Sequence, residues 1–121
     1  MEILYTFSEG EDGYLPGSGV VIGPGRTLYG TTVTGGSAGA GTVYALAAPA
    51  TPGGAWTETV LYSFLGDTDG SAPTWSPVIG SGGVLYGATN SGGIANDGTV
   101  FSLTPPVSPG GAWTHAVLYH F

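Results

Sequence analysis

The segment Asp67-Thr68-Asp69-Gly70-Ser71 carries the strongest local signal for chemistry in this sequence. Two carboxylates beside a glycine turn present oxygen atoms in the way that calcium loops do. No glutamate follows at EF-hand spacing, and the counterpart Glu9-Gly10-Glu11-Asp12-Gly13 keeps the acidity with a different spacing. Two interpretations remain: a Ca²⁺ site on Asp67 and Asp69, or an Asp-Gly turn with solvated neighbours. We favour the turn and expect no cofactor.

The two histidines, His115 and His120, are further candidates for catalysis. They lie five residues apart on a predicted strand, so a regular strand would place them on opposite faces. Their counterparts in the first half of the chain are Glu58 and Ser63, so neither histidine belongs to the repeat itself. A hydrolytic triad also needs a carboxylate to hold its histidine, which no spacing here indicates. We therefore predict that the chain is not an enzyme.

The tryptophans suggest a binding function as the alternative, since aromatic rings serve as platforms for ligands such as sugars. Trp56 and Trp113 recur at one position of the repeat, which packing explains, whereas Trp75 is unique to its copy. Packing is also the simpler explanation for Trp75, and the binding alternative would use the loops near Trp75 together with the glycine-rich segment 91–97. The candidate ligand-binding residues, for a carbohydrate, are Trp75, Asn90 and Asn96.

Charge and composition exclude several classes of partner. The chain has 121 residues with a net charge of −7, and Arg26 is its only basic residue besides histidine. Nucleic acids and anionic membrane surfaces require lysine and arginine, so neither is expected as a partner. Hydrophobic residues make up 41 % and aromatic residues 12 %, which predicts a folded chain despite 24 glycines. No apolar run approaches the roughly 20 residues of a membrane helix, and no membrane insertion is expected.

The sequence as a whole consists of two consecutive copies of one repeat. Leu4-Tyr5-Thr6-Phe7 returns at 61–64 and at 118–121, a constant period of 57 residues. Within the period, Pro52-Gly53-Gly54-Ala55-Trp56-Thr57 returns as Pro109-Gly110-Gly111-Ala112-Trp113-Thr114. A fixed period indicates a repeat architecture in which each unit buries its apolar face against a neighbour. We divide the chain into repeats at 1–64 and 65–121.

Each period contains four short runs rich in Val, Leu, Tyr, Phe, Trp and Thr, bounded by glycine, proline, serine or aspartate. These runs predict strands, and glycine or proline interrupts almost every window long enough for a helix. The predicted strands are 19–22, 27–32, 41–46 and 56–64 in the first copy, and 75–79, 84–89, 98–103 and 113–121 in the second. Residues 1–7 align with the fourth strand and predict a third occurrence of it.

Four antiparallel strands per period predict an all-β fold of two β-propeller blades. The recurring motifs Leu-Tyr-x-Phe, Leu-Tyr-Gly-x-Thr, Gly-Thr-Val-(Tyr/Phe)-x-Leu and Trp-Thr-x-x-Val-Leu-Tyr-x-Phe resemble the bacterial GloVer-type tandem repeats. This resemblance implies a propeller-like array and a parent protein that is extracellular or at the cell surface. It carries over no catalytic residues. The chain differs from the family in copy number, since it has two repeats where the family has many.

Two blades are too few for a ring, since propellers use about four to eight. Because the copies are equivalent, the end of one chain should fit the start of the next, and such a head-to-tail contact closes into a ring or continues as a filament. We expect closure by a homotetramer, with a homotrimer second, because a long period with glycine-rich loops suits a wide ring. The residues expected at the contact are Leu4, Tyr5, Phe7, Leu118, Tyr119 and Phe121.

The residues at the start, Met1-Glu2-Ile3-Leu4, lack the basic region of a signal peptide and run directly into repeat-type sequence. We therefore expect an excised or engineered scaffold fragment without a signal peptide of its own.

Overall fold

The computed structural model describes residues 3–8, 10–17, 19–108 and 110–121. Within these ranges the chain forms nine β-strands in two antiparallel sheets and no α-helix. The predicted all-β fold of two blade-like sheets is confirmed. No helix in the described ranges is long and apolar enough to cross a membrane.

The first sheet, which we call blade 1, has five strands. Its two central strands are β3 (Thr27–Thr34) and β4 (Thr42–Ala47), and β5 (Thr57–Ser63) forms one edge. The other edge is shared by two short strands, β1 (Tyr14–Pro16) and β2 (Val21–Gly23), which pair with opposite ends of β3. Pro16 lacks an amide N–H, which is tolerated because β1 is at the edge of the sheet.

The second sheet, blade 2, repeats this plan with strands in sequential order. Its strands are β6 (Val78–Ile79), β7 (Leu85–Thr89), β8 (Thr99–Thr104) and β9 (Thr114–His120). An isolated bridge between Ser71 and Ser91 takes the place of β1. The strand predicted over 75–79 shrinks to two residues, because Pro77 interrupts it and cannot donate a ladder hydrogen bond.

Both outer strands carry a β-bulge at the same position of the repeat. The register shifts between Val43 and Tyr44 on β4 and between Val100 and Phe101 on β8. The extra, unpaired residues are therefore Leu61 on β5 and Leu118 on β9. A bulge reverses the alternation of side chains beyond it. His115 and His120 consequently lie on the same face of β9, and the expectation of opposite faces was wrong.

The strand predicted over residues 1–7 is absent from residues 3–7, the part of it that the structure describes. Met1 and Glu2 lie outside the described residues, and residues 3–8 pair with no strand. A β-strand requires a neighbouring edge for its amide and carbonyl groups. In β5 and β9 the third strand of the same blade supplies that edge, and residues 3–8 have no such strand beside them.

The hydrophobic core lies between the two blades. The largest side chains that are fully buried there are Val43 and Phe64 from the first repeat, and Leu85, Phe101 and Leu103 from the second. Two hydrogen bonds among the described residues also join the repeats. The amide of Ala72 donates to the carbonyl of Ala40 at 2.8 Å, and the Thr31 hydroxyl donates to the carbonyl of Trp75 at 3.1 Å.

Candidate functional site: the joint between blades

The contact between the blades, which we call the internal joint, is centred on the ring of Phe64. This ring packs edge-to-face on Phe101 of blade 2 at a centroid distance of 5.1 Å, and on Tyr62 at the same distance. Phe101 reaches this position because it lies opposite Gly87 in the register, where a Cβ atom would come within 2.7 Å of the ring. Aromatic pairs of this geometry stabilise a core beyond their buried area.

His115 of β9 completes the aromatic cluster. It stacks on Tyr62 with 4.1 Å between the ring centroids and 7° between the planes, and its Nε2 atom is buried without a hydrogen-bond partner. Burial lowers the pKa of His115, although the negative charge of Asp69 opposes the shift. Because the unfolded chain then binds the proton more readily, acid below about pH 6.5 weakens this joint.

A carboxylate fixes the edge of the internal joint. The Tyr62 hydroxyl donates to Oδ2 of Asp69 at 2.6 Å, and the amide of Leu65 donates to the same oxygen at 2.9 Å. Oδ1 of Asp69 accepts from the amide of Asp67 at 3.4 Å. Burial, and then the hydrogen bond to Asp69, raises the pKa of Tyr62, so its proton stays in place. Asp69 therefore ties strand β5 to the turn that leads into blade 2.

These contacts bear on the calcium interpretation. Asp67 accepts a hydrogen bond at 2.6 Å from the amide of Thr68 through its own Oδ1. No group of three or more His, Cys, Asp or Glu residues is arranged to hold a metal within the described residues. The Ca²⁺ site on Asp67 and Asp69 stays a prediction, and the observed contacts are those of the Asp-Gly turn.

Residues 3–8 form a second joint against the opposite face of blade 1. Phe7 packs edge-to-face on Tyr44 at 5.1 Å, and the Tyr5 hydroxyl donates to Asp12 at 2.8 Å. The amide of Ser8 also donates to Asp12 at 2.9 Å. Burial disfavours the Asp12 carboxylate, but the hydrogen bonds from Ser8 and Tyr5 outweigh it and lower its pKa to about 2. We call this face of blade 1 the leading face, and its contacts with residues 3–8 reproduce those of the internal joint.

Glu58 on the leading face stands where the internal joint has His115. Its Oε2 atom is buried without a hydrogen-bond partner. Burial, and then the charge of Asp12, raises the pKa of Glu58 to about 7. An open cleft of about 310 Å³ here is lined by Glu11, Asp12, Ser37, Glu58, Val60 and Ser63. The two joints therefore respond to acid in opposite directions.

The third copy of the motif, on β9, is exposed. Tyr119 and Phe121 pack edge-to-face on each other at 5.2 Å, as Tyr62 and Phe64 do, but no blade covers them. Phe121 is 56 % exposed, whereas Phe64 is completely buried. We call this outer side of blade 2 the trailing face. Of the residues expected at inter-chain contacts, Leu4, Tyr5 and Phe7 are half-buried at the leading face, while Leu118, Tyr119 and Phe121 are exposed on the trailing face.

The comparison with protein families agrees with this repeated geometry. The model of the Gloeobacter/Verrucomicrobia repeat matches residues 1–121. The chain belongs to this repeat family. No curated protein and no solved structure gave a match. The resemblance drawn from the Leu-Tyr-x-Phe and Gly-Thr-Val motifs is thereby confirmed.

In this member of the Gloeobacter/Verrucomicrobia repeat family, the predicted ligand residues do not share one site. Trp75 is exposed and lines an open apolar cleft of about 330 Å³ on the trailing face, beside Val78 and Tyr86. Asn90 and Asn96 do not line this cleft. The Asn96 side chain instead accepts a hydrogen bond from the amide of Gly92 at 2.9 Å and closes the loop between β7 and β8.

One catalytic pattern passed over in the sequence is Gly35-Gly36-Ser37-Ala38-Gly39, which has the form of a nucleophile elbow. An elbow requires a strand followed by a helix, but this segment is the loop between the antiparallel strands β3 and β4. The described residues that line the cleft beside Ser37 include carboxylates and no histidine. The described lining therefore lacks the histidine that a hydrolytic triad uses to activate its serine.

Sequence reasoning also missed the role of the tyrosine–aspartate pairs. Tyr5 and Asp12 are seven residues apart, as are Tyr62 and Asp69, and both pairs form the same hydrogen bond. The constant spacing between Leu-Tyr-x-Phe and Asp-Gly was the available signal. Both aspartates were interpreted as residues of Asp-Gly turns, with Asp69 also a candidate Ca²⁺ ligand, and neither was paired with its tyrosine.

Proposed function

We propose that this chain is a non-catalytic structural repeat module that associates head to tail with copies of itself into a closed β-propeller. One observation carries the proposal: the two surfaces that meet in the internal joint are both presented a second time. The trailing face repeats the side of blade 1 that is buried at the internal joint, and the leading face repeats the side of blade 2 buried there. A surface that is buried once within the chain is built to be buried again.

The internal joint serves as a template for the contact between chains. By equivalence, Tyr119 of one copy donates to Asp12 of the next and Phe121 packs on Tyr44. Tyr29 packs on Trp113 at 6.1 Å in the internal joint, which predicts Tyr86 on Trp56 between chains. Ile79 is half-buried in the internal joint, while its counterpart Ile22 is 77 % exposed on the leading face.

The contact is heterologous, so it either closes or propagates as a filament. Four chains supply eight blades and three chains supply six, both within the usual range of propellers. We favour the tetramer for the long repeat and its glycine-rich loops. Each chain carries a net charge of −7 and Asp12 and Glu58 lie at the contact, so we expect salt to strengthen the assembly by screening.

The experiment is the native mass of the purified chain across a dilution series. We expect about 48 kDa for four chains of 12.0 kDa, or about 36 kDa for three. Phe121→Ser should lower the mass towards that of one chain. Val107→Ser serves as the matched control, because Val107 is equally apolar and fully exposed in the loop between β8 and β9. A folded chain of 12 kDa at every concentration would refute the proposal.

Trp75 supports a second candidate, an extracellular module that binds a carbohydrate. Its exposed ring lies beside Tyr86 in an apolar cleft, which suits stacking against a sugar. The cleft is part of the trailing face, so one copy cannot bind a glycan there and another chain at once. A glycan-array signal lost in Trp75→Ala but kept in Val107→Ser would favour this candidate, and a stable oligomer without any glycan signal would favour the first.

A further inference from the structure

The chain contains three Leu-Tyr-x-Phe segments, and its described residues form two places that receive one. Residues 61–64 fill the place at Asp69, and residues 4–7 fill the place at Asp12. Residues 118–121 have the same internal geometry and no receiving surface within the chain. The numbers of segments and receiving places therefore differ by one.

The two occupied places bind their segments in the same geometry. The tyrosine hydroxyl to aspartate distance is 2.8 Å at Asp12 and 2.6 Å at Asp69, and the amide after the segment donates at 2.9 Å in both. The phenylalanine meets the next blade at 5.1 Å and 71° in both places, on Tyr44 and on Phe101 respectively. The place at Asp12 is a complete site, with a carboxylate for the tyrosine and an aromatic ring for the phenylalanine.

We propose that the leading face at Asp12 and Tyr44 is a binding site for Leu-Tyr-x-Phe segments, which residues 3–8 occupy and must leave before residues 118–121 of a second copy can dock. The identity of the partner segment rests on the head-to-tail assembly proposed above. The exchange follows from stereochemistry, because two tyrosine hydroxyls cannot take the same position on Asp12 and two rings cannot take the same position on Tyr44.

The two competing segments differ in how they are held. Residues 3–8 pair with no strand, so the contacts at the leading face must offset the full loss of their conformational freedom. Leu118, Tyr119 and His120 are already ordered, because β9 is hydrogen-bonded along its length to β8. Pre-ordering lowers the entropic cost of docking. Residues 3–8 have the compensating advantage of high effective concentration in the same chain. The exchange therefore depends on protein concentration.

The test uses the full chain and a fluorescein-labelled peptide with the sequence of residues 116–121, Ala-Val-Leu-Tyr-His-Phe. In the Tyr5→Ser/Phe7→Ser double variant, the segment loses both contacts that compete for the site. We expect the peptide to bind this variant at least about tenfold more tightly than the unaltered chain, measured by fluorescence anisotropy. Adding Asp12→Asn should reverse most of the gain, and a control peptide with serine in place of phenylalanine should not bind.

Tyr5→Phe keeps the ring and removes only the hydroxyl, so it tests the site without the larger change of the double variant. It should give an intermediate peptide affinity. Equal affinity for the unaltered chain and both variants, with the near-ultraviolet circular dichroism unchanged, would overturn the proposal. So would a failure of the peptide to bind any of them.

The native mass of the same proteins, measured without the peptide, separates this inference from the proposed function. Tighter peptide binding by the double variant in chains of 12 kDa would support the segment site and refute self-assembly. Ring-sized particles in all samples, with peptide affinity unaffected by Tyr5 and Phe7, would support self-assembly and overturn the exchange.

Discussion

Replacing Phe64 with alanine removes the central ring of the internal joint. The side chain is completely buried and meets Phe101 and His115 at 5.1 and 5.6 Å. Large-to-small changes of a buried phenylalanine cost about 3–5 kcal/mol, since transfer, cavity and ring-contact terms add. A domain of this size has a total stability of about 5–15 kcal/mol. Phe64→Ala should therefore lose a large part of the free energy of unfolding.

The repeat provides matched controls, because Phe7 and Phe121 are the same residue in the other two copies. Phe7 is half-buried on Tyr44, so Phe7→Ala should cost about 1 kcal/mol. Phe121 is exposed, so Phe121→Ala should cost no more than about 0.5 kcal/mol in the dissociated chain. Urea unfolding of samples dilute enough for the chain to sediment as one copy measures all three. A cost for Phe64→Ala below about 1 kcal/mol, or equal to that for Phe121→Ala, would refute the described joint.

Three further predictions test individual contacts. Tyr62→Phe should lower the free energy of unfolding by about 1.5–3 kcal/mol by removing a hydrogen bond to a carboxylate, while Tyr119→Phe should leave the dissociated chain unchanged in urea unfolding. Between about pH 4.5 and 7 the Glu58 carboxyl is ionised only in the unfolded chain, so the free energy of unfolding falls as the pH rises, by about 1 kcal/mol after solvent screening. Glu58→Gln should remove this fall and flatten the pH profile of thermal stability over that range. Gly92→Ala should lower the denaturant midpoint of unfolding more than Gly82→Ala does. Both glycines have positive φ, but only at Gly92 would a Cβ atom come within 2.7 Å of backbone atoms of Gly70. Equal midpoints would contradict this.

The sequence predicted the strands well because their signals are local. Eight of the nine predicted runs gave a strand within a few residues, and the constant period predicted two equivalent blades. The edge strand β1 was missed because Pro16 argues against a strand, although an edge accepts it. The bulges at Leu61 and Leu118 were also missed, since register depends on the pairing with the neighbouring strand rather than on composition.

The site was predicted only in part. The residues expected at inter-chain contacts include both half-buried and exposed copies of one motif, and only the structure distinguishes them. Asp12 could have been found from its constant spacing to Tyr5, but the role of Tyr44 could not, because it depends on the packing of Phe7 against it. The burial of Glu58 is likewise a property of the folded packing and not of residue type. The strand prediction failed in residues 3–7 for a related reason, since a strand motif without a neighbouring edge remains unpaired.

The central claim is that the trailing face of one chain docks on the leading face of the next, and a mixing experiment tests it most directly. Phe121→Lys leaves only the leading face competent, and Ile22→Lys leaves only the trailing face competent; both side chains are exposed, so each variant should fold. We predict that each variant alone sediments at 12 kDa and that an equimolar mixture forms a species of about 24 kDa and nothing larger. A mixture that stays at 12 kDa, or a ring-sized particle formed by either variant alone, would contradict head-to-tail assembly.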